Sequence, residues 1–269
     1  MVTYINKFCV FLIIFFSMAS KAQLATPNES GLTYGLVHLN VTDIELHKGL
    51  WVEHFDGVVV QKGPLTTVQM PNMIITLSEQ EVSAVSRDTV MDHFGFKVRS
   101  IDDFLAKWRT AGYDVGPEFI GAEGQKNAYV TMPDGAYVEL QEDQALHADI
   151  VGYHVHFYTD QYKELLEWYT EIFSLDVRPR GNIETTTNVP GMNLSFANSS
   201  DERLPTRGTA IDRIGFEVAD LEAFCRELES KGVVFLAPLK EAPSIGLKVA
   251  LIVDPAGVTI ELTEGLIDY

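Results

Sequence analysis

One stretch of this 269-residue chain occurs twice. Residues 91–104 read MDHFGFKVRSIDDF, and residues 211–224 read IDRIGFEVADLEAF. In each copy apolar residues alternate along a strand (Phe94, Phe96, Val98; Ile214, Phe216, Val218), and a turn leads into an amphipathic helix. Successive strand side chains point to opposite faces, so one face packs under the helix and the other looks elsewhere. That second face carries His93, Gly95 and Lys97 in the first copy, and Arg213, Gly215 and Glu217 in the second. Both copies run on to an acidic strand end, YVELQED at 137–143 and TIELTEG at 259–265. The spacing is 46 residues from His93 to Glu139 and 48 from Arg213 to Glu261. The chain is internally duplicated, and any fold assigned to it has to be built from repeats.

The rest of the sequence subdivides each copy again. A strand at 34–41 ends at Asp43, which caps a helix over 44–55, and short strands follow at 57–61, 65–70 and 73–78. The same order returns as strand 90–98, helix 101–111 and strands at 113–119, 126–131 and 136–141. It returns again as strand 151–158, a helix headed by Asp160, and strands at 175–180, 183–188 and 192–197. The last unit is strand 210–218, helix 219–231 and strands at 233–236, 247–253 and 258–263. Four βαβββ units, taken two and two, divide the chain into halves at 34–145 and 149–269. The class is α+β. Each pair of units makes a cup-shaped mixed sheet with its helices outside.

Composition limits the partners. The chain is 46% hydrophobic and 22% charged, which is globular, with a formal net charge of −18. Such a surface repels phosphate backbones and anionic headgroups, which argues against nucleic acid and membrane-surface partners. Residues 1–22 differ from the rest: Lys7, the apolar run CVFLIIFFSMA, then Ser20-Lys21-Ala22. A positive start, a short apolar core and a small-x-small exit describe a secretory signal peptide, and the run is shorter than the ~20 residues of a bilayer span. The expected location is periplasmic or secreted, with no membrane attachment after cleavage. Residues 23–33 read as a linker. The mature chain then holds one cysteine, Cys225, on the apolar side of its helix, where it reads as a packed thiol.

Six stretches resemble the vicinal oxygen chelate superfamily, which includes glyoxalase I, extradiol dioxygenases and bleomycin-resistance proteins. They are HLNVTD at 38–43, DHFGFKV at 92–98, MPDGAYVEL at 132–140, HVHFYTD at 154–160, FEVADLEAF at 216–224 and DPAGVTIELTEG at 254–265. The resemblance implies two tandem cups over roughly 34–265. It also implies a metal site fed by one ligand from the first strand, one from the strand opening the second unit, and a glutamate from the last strand. The reaction stays open, because the superfamily spans lyases, isomerases, dioxygenases, transferases and binders.

Carried onto this chain, His93 and Glu139 match the second and third positions, and the usual first-strand ligand falls on Leu36. His38 lies two residues on, on the same face, so a displaced triad of His38, His93 and Glu139 is expected, with Glu139 also as the proton-shuttling group. The alternative is that the histidines line a metal-free pocket. In the second half His154 and Glu261 match, but the middle position is Arg213, a permanent cation that pairs with Glu261 where a metal would sit. His154, His156, Asn193, Ser195, Arg213 and Glu261, with His38, are then the candidate substrate-binding residues.

Two functional classes follow. One is an exported divalent-metal (Fe, Zn, Ni or Mn) lyase or dioxygenase acting on a small oxygen-chelating substrate. The other is a metal-free small-molecule binder of the bleomycin-resistance kind. A cytosolic thiol such as glutathione is a poor co-substrate for an exported protein. Either the halves close on each other within one chain or each pairs with a second copy as a homodimer.

Overall fold

The computed structural model describes residues 23–269; the stretch 1–22, read above as an export signal, lies outside the described residues. The first module is β1 (Leu32–Val41), α1 (Ile44–Phe55), β2 (Val58–Lys62), β3 (Leu65–Met70) and β4 (Met73–Glu79). The second is β5 (Met91–Val98), α2 (Ile101–Thr110), β6 (Val115–Ile120), β7 (Lys126–Thr131) and β8 (Tyr137–Glu142). The third holds β9 (Ile150–Tyr158), α3 (Tyr162–Ile172), β10 (Thr186–Val189) and β11 (Met192–Ala197). The fourth holds β12 (Ile211–Val218), α4 (Leu221–Ser230), β13 (Phe235–Ala242), β14 (Leu247–Val253) and β15 (Thr259–Glu264).

Side-chain oxygens just ahead of three helices accept from their first-turn amides: Asp43 from Leu46 at 2.9 Å, Ser100 from Asp103 at 3.2 Å and Asp220 from Ala223 at 2.9 Å. The α3 helix lacks such a cap and begins after Gln161, one residue beyond the expected Asp160. The expected strand at 175–180 is absent. Pro179 offers no amide to a ladder, and Gly181 turns left-handed at φ 56°, with Ala122 packed against it. Only isolated bridges form there, between Val177 and Thr187 and between Arg180 and Ile183. The third module therefore carries an irregular segment that folds inwards.

Two mixed sheets result, as the α+β reading requires, but their make-up corrects the two-and-two grouping. One runs β13-β14-β15-β12-β1-β4-β3-β2 and joins the first module to the fourth; the other runs β10-β11-β9-β5-β8-β7-β6 and joins the second to the third. The seams are antiparallel, β1 on β12 and β5 on β9. Consecutive modules share something else, their helical core. Trp51 of α1 lies 6.1 Å from both Phe94 and Phe96 of β5, and Phe55 lies 5.0 Å from Phe104 of α2. Phe173, just past α3, likewise lies 4.5 Å from Phe216 of β12. Modules that stand back to back over a common core have their opening strands in different sheets, so those strands cannot pair with each other. Their exposed edge amides and carbonyls are met instead by the other half. Both cups close within one chain and need no second copy.

The stretch 23–33 is docked rather than a free linker. Leu24 is buried with Leu36, Ile74, Leu247 and Leu266, and the carbonyl of Gln23 accepts from the amide of Asn72 at 3.1 Å. Cys225 packs on the core of α4 as expected, and burial pushes its thiol up to about 11.

Candidate functional site

Crossed pairing decides which polar residues meet. Across β5 and β9, His93 faces His156 and Gly95 faces His154. A two-fold relation through this strand pair makes His93 the counterpart of His154. Glu139 sits opposite Gly95 and Ser195 opposite His156, so these two are counterparts as well. The same operation across β1 and β12 matches Leu36 with Arg213 and Thr76 with Glu261. One cup therefore presents His, Glu, His and Ser at its four related positions; the other presents Leu, Thr, Arg and Glu.

The displaced triad of His38, His93 and Glu139 is not assembled, because His38 lies in the eight-stranded sheet and the other two lie in the seven-stranded one. His93 and Glu139 instead meet His154 and His156, which the half-by-half grouping had assigned to a separate pocket with Arg213 and Glu261. Among the described residues, His93, Glu139 and His156 each offer a ligand atom within 4.8 Å of the others, and all three are buried. His93 Nε2 is 2.9 Å and His154 Nε2 3.1 Å from Glu139 Oε2, which also accepts from the Tyr129 hydroxyl at 3.2 Å. Asn127 donates to the other carboxylate oxygen. His156 Nε2 is buried with no protein partner. Gly95 matters here: a Cβ at that position would collide with the His154 imidazole.

His93 is oriented from behind by Asp92, whose Oδ1 lies 2.8 Å from Nδ1 and whose Oδ2 is held by Arg203 at 3.1 Å. A carboxylate behind a histidine fixes the ring and raises its basicity, the usual outer support of a metal-binding imidazole. Burial alone would lower the His93 pKa, but its bonds to Asp92 and Glu139 and their charges hold it up at about 9. Burial likewise pushes Glu139 upwards, and His154 and His93 overcome this and hold it well below the ordinary range. Burial keeps His154 and His156 neutral, His156 most strongly. The cup wall is aromatic: Tyr129 stacks on Tyr137 at 4.4 Å, and Tyr158 stacks on His156 at 4.7 Å.

The donor set fits a divalent metal. It has one ionised carboxylate, a His156 imidazole kept neutral by burial with its Nε2 orphaned, and a His93 imidazole that would give up its Nε2 proton to the ion while Asp92 holds Nδ1 from behind. Neither Asp92 nor Tyr129 was singled out from sequence. Asp92 had a signal, since an aspartate precedes the site residue in both copies (Asp92-His93 and Asp212-Arg213). Tyr129 and Asn127 had none, because they reach Glu139 only through the β7–β8 register.

The other cup is neutralised and filled. Arg213 Nε donates to Glu261 Oε2 and Nη1 to Asp212 Oδ1, both at 2.5 Å, as expected of a cation at the metal position. His38 Nδ1 bonds Thr76 Oγ1 at 2.7 Å, and burial, then the Arg213 charge, lowers its pKa to about 3. Leu24 and Leu266 lie over Leu36 and Ile74, and the Tyr269 hydroxyl is tied to the carbonyl of Ile245 at 2.7 Å. Removing one partner of such a buried cluster strands the rest, so Arg213→Leu is expected to cost on the order of 3 kcal/mol. A thermal melt checks this; an unchanged midpoint would mean that the pairing contributes nothing. Asn193 and Ser195 belong to the first cup, where Ser195 Oγ donates to Asn193 Oδ1 at 2.7 Å.

Comparison with known proteins agrees with this architecture. Residues 151–262 match the model of the Glyoxalase/Bleomycin resistance protein/Dioxygenase superfamily. A mutant of glyoxalase I from Zea mays superposes with a TM-score of 0.69 at 15% identity, covering 88% of this chain and 95% of that one. Another structure of glyoxalase I from Zea mays gives 0.66 at 16% identity, with 88% and 94% covered. A candidate dioxygenase from Bacillus subtilis subsp. subtilis str. 168 gives 0.66 at 11%, with 90% and 86% covered. No curated protein sequence matches the chain. The resemblance to the vicinal oxygen chelate superfamily is therefore shown: the family model takes in residues 151–262, and the shared fold extends over the first half as well.

Proposed function

We propose that this glyoxalase/dioxygenase-like protein is a divalent-metal enzyme with a single working cup, the one between the second and third modules. Its chemistry would be of the dioxygenase type on a small molecule with two neighbouring oxygens. The observation that carries this reading is the convergence of His93, Glu139 and His156 within 4.8 Å, with the His156 Nε2 otherwise unpartnered. These three would hold the ion. Two imidazoles and one carboxylate with open positions are the donor set of Fe(II) oxygen chemistry, and the same donors suit Zn, Ni or Mn. Ser195 stands where the two-fold relation would put a second carboxylate, so the set keeps a single carboxylate, which favours oxygen chemistry on Fe(II).

A metal bound there supplies Lewis-acid polarisation of adjacent substrate oxygens. The chain's own groups do the rest. Asp92 fixes the His93 ring through Nδ1. His154, neutral and bonded to Glu139 through Nε2, keeps an unpartnered Nδ1 and is the group to receive a proton. Tyr129, Tyr137 and Tyr158 give the walls an apolar, stackable surface suited to an aromatic or planar substrate. Export through residues 1–22 is part of the proposal and keeps the protein away from cytosolic thiols.

The test is metal affinity by competition with a chromogenic chelator. His156→Ala is expected to weaken Zn binding by about 100-fold, because a ligand is lost rather than an outer support worth 10–100-fold. Equal affinity in His156→Ala and the unaltered chain would overturn the assignment of His156.

A further inference from the structure

The working cup contains a cation that the chemistry above leaves unused. Arg180 lies in the irregular segment between α3 and β10 and is only 8% exposed. Its three side-chain bonds are long: Nη1 to Glu123 Oε2 at 3.3 Å and to Gln141 Oε1 at 3.4 Å, and Nη2 to Ser195 Oγ at 3.4 Å. Its Nε is buried without any partner. A guanidinium held this loosely away from water is under-satisfied, and its planar fork matches a carboxylate.

The surroundings are open. Arg180 borders a cleft of about 820 Å³ together with Lys97, Tyr153 and Asn193, while Ser195, His154 and His156 are buried behind that lining. A bulge between Gly95 and Phe96 in the β5–β9 register puts Tyr153 beside His154 on the cup side, with its ring 5.5 Å from the Arg180 guanidinium. The Lys97 ammonium is already taken by Asp143 at 3.1 Å. The carboxylate nearest Arg180 is Glu123, from the 121–125 turn, held by Gln141 at 2.7 Å and by the Tyr153 hydroxyl at 2.8 Å. Ser195, the counterpart of Glu139, brings no charge of its own.

We infer that Arg180 and Ser195 form an anion subsite beside His154 and His156, which takes a substrate carboxylate where the two-fold relation would otherwise put a protein carboxylate. The substrate class is then a small acid whose carboxylate adjoins its chelating oxygens, and Glu123 competes for the same guanidinium. The location next to a metal centre rests on the function proposed above; the anion binding itself does not.

Oxalate and its neutral analogue oxamide are the probes, titrated by calorimetry into the full chain, first stripped of metal and then loaded with Zn. Oxalate binding and no oxamide binding are expected. Arg180→Gln should weaken oxalate at least about tenfold, the scale of a charged hydrogen bond lost, and Glu123→Gln should tighten it several-fold by removing the competitor. Tightening is a gain that a merely structural role for Glu123 would not produce, and it can be read even if Arg180→Gln fails to fold. Oxamide binding as well as oxalate, no oxalate binding by the unaltered chain, or unchanged affinity in either variant would overturn the subsite. If the chain takes up no Zn but its metal-free form binds oxalate through Arg180, the subsite stands and only the metal reading falls.

Discussion

Glu139→Gln is expected to weaken divalent-metal binding by well over about 100-fold, beyond the range of losses seen when only an outer support is removed. Glu139 is the single carboxylate of the candidate ligand set, and three donors already converge on its Oε2: His93, His154 and Tyr129. Glutamine keeps the shape and loses the charge, so the deficit reports electrostatics rather than packing. It also removes one of the two carboxylates that hold His93 charged, leaving Asp92 alone. Competition with a chelator measures the change, and His38→Gln serves as the control in the other cup, where metal affinity should not move. Unchanged affinity in Glu139→Gln would remove the centre from this cup.

The second large effect concerns the crossed sheets. A fragment of residues 23–147 keeps the aromatic core of Trp51, Phe55, Phe96 and Phe104, yet each of its opening strands loses one of its two partners and becomes an edge, β1 losing β12 and β5 losing β9. Unpaired, largely buried edges of this length invite self-association. The fragment is therefore expected to form dimers or aggregates, and to recover a monomer-sized complex when made together with residues 148–269. Light scattering after size exclusion decides the matter. A monodisperse fragment monomer with a cooperative melt would mean that the crossed seam contributes little.

That seam is also where reading the sequence stops. The duplicated motif, alternation and turn residues fix the repeating βαβββ unit, because they are local consequences of strand and helix periodicity. Register within a module was equally legible: counting back from Asp43 puts the vacant ligand position on Leu36, and the two-fold relation with Arg213 puts it there too. The Arg213–Glu261 pair followed from charge and position alone. Which module faces which depends on long-range edge pairing that no local pattern records, so His38 was grouped with His93, and His154 with Arg213. Arg180 was hidden for a related reason. Its segment alternates like a strand in the sequence, and only Pro179 and the left-handed Gly181 break the ladder and turn the arginine inwards.

The most direct measurement is the metal content of the mature chain, purified without chelators or an affinity tag and analysed by mass spectrometry. One equivalent of Fe, Zn, Ni or Mn per chain is expected, kept in His38→Gln and lost in Glu139→Gln. No metal in the unaltered chain, or two equivalents per chain, would contradict a single metal centre between the second and third modules.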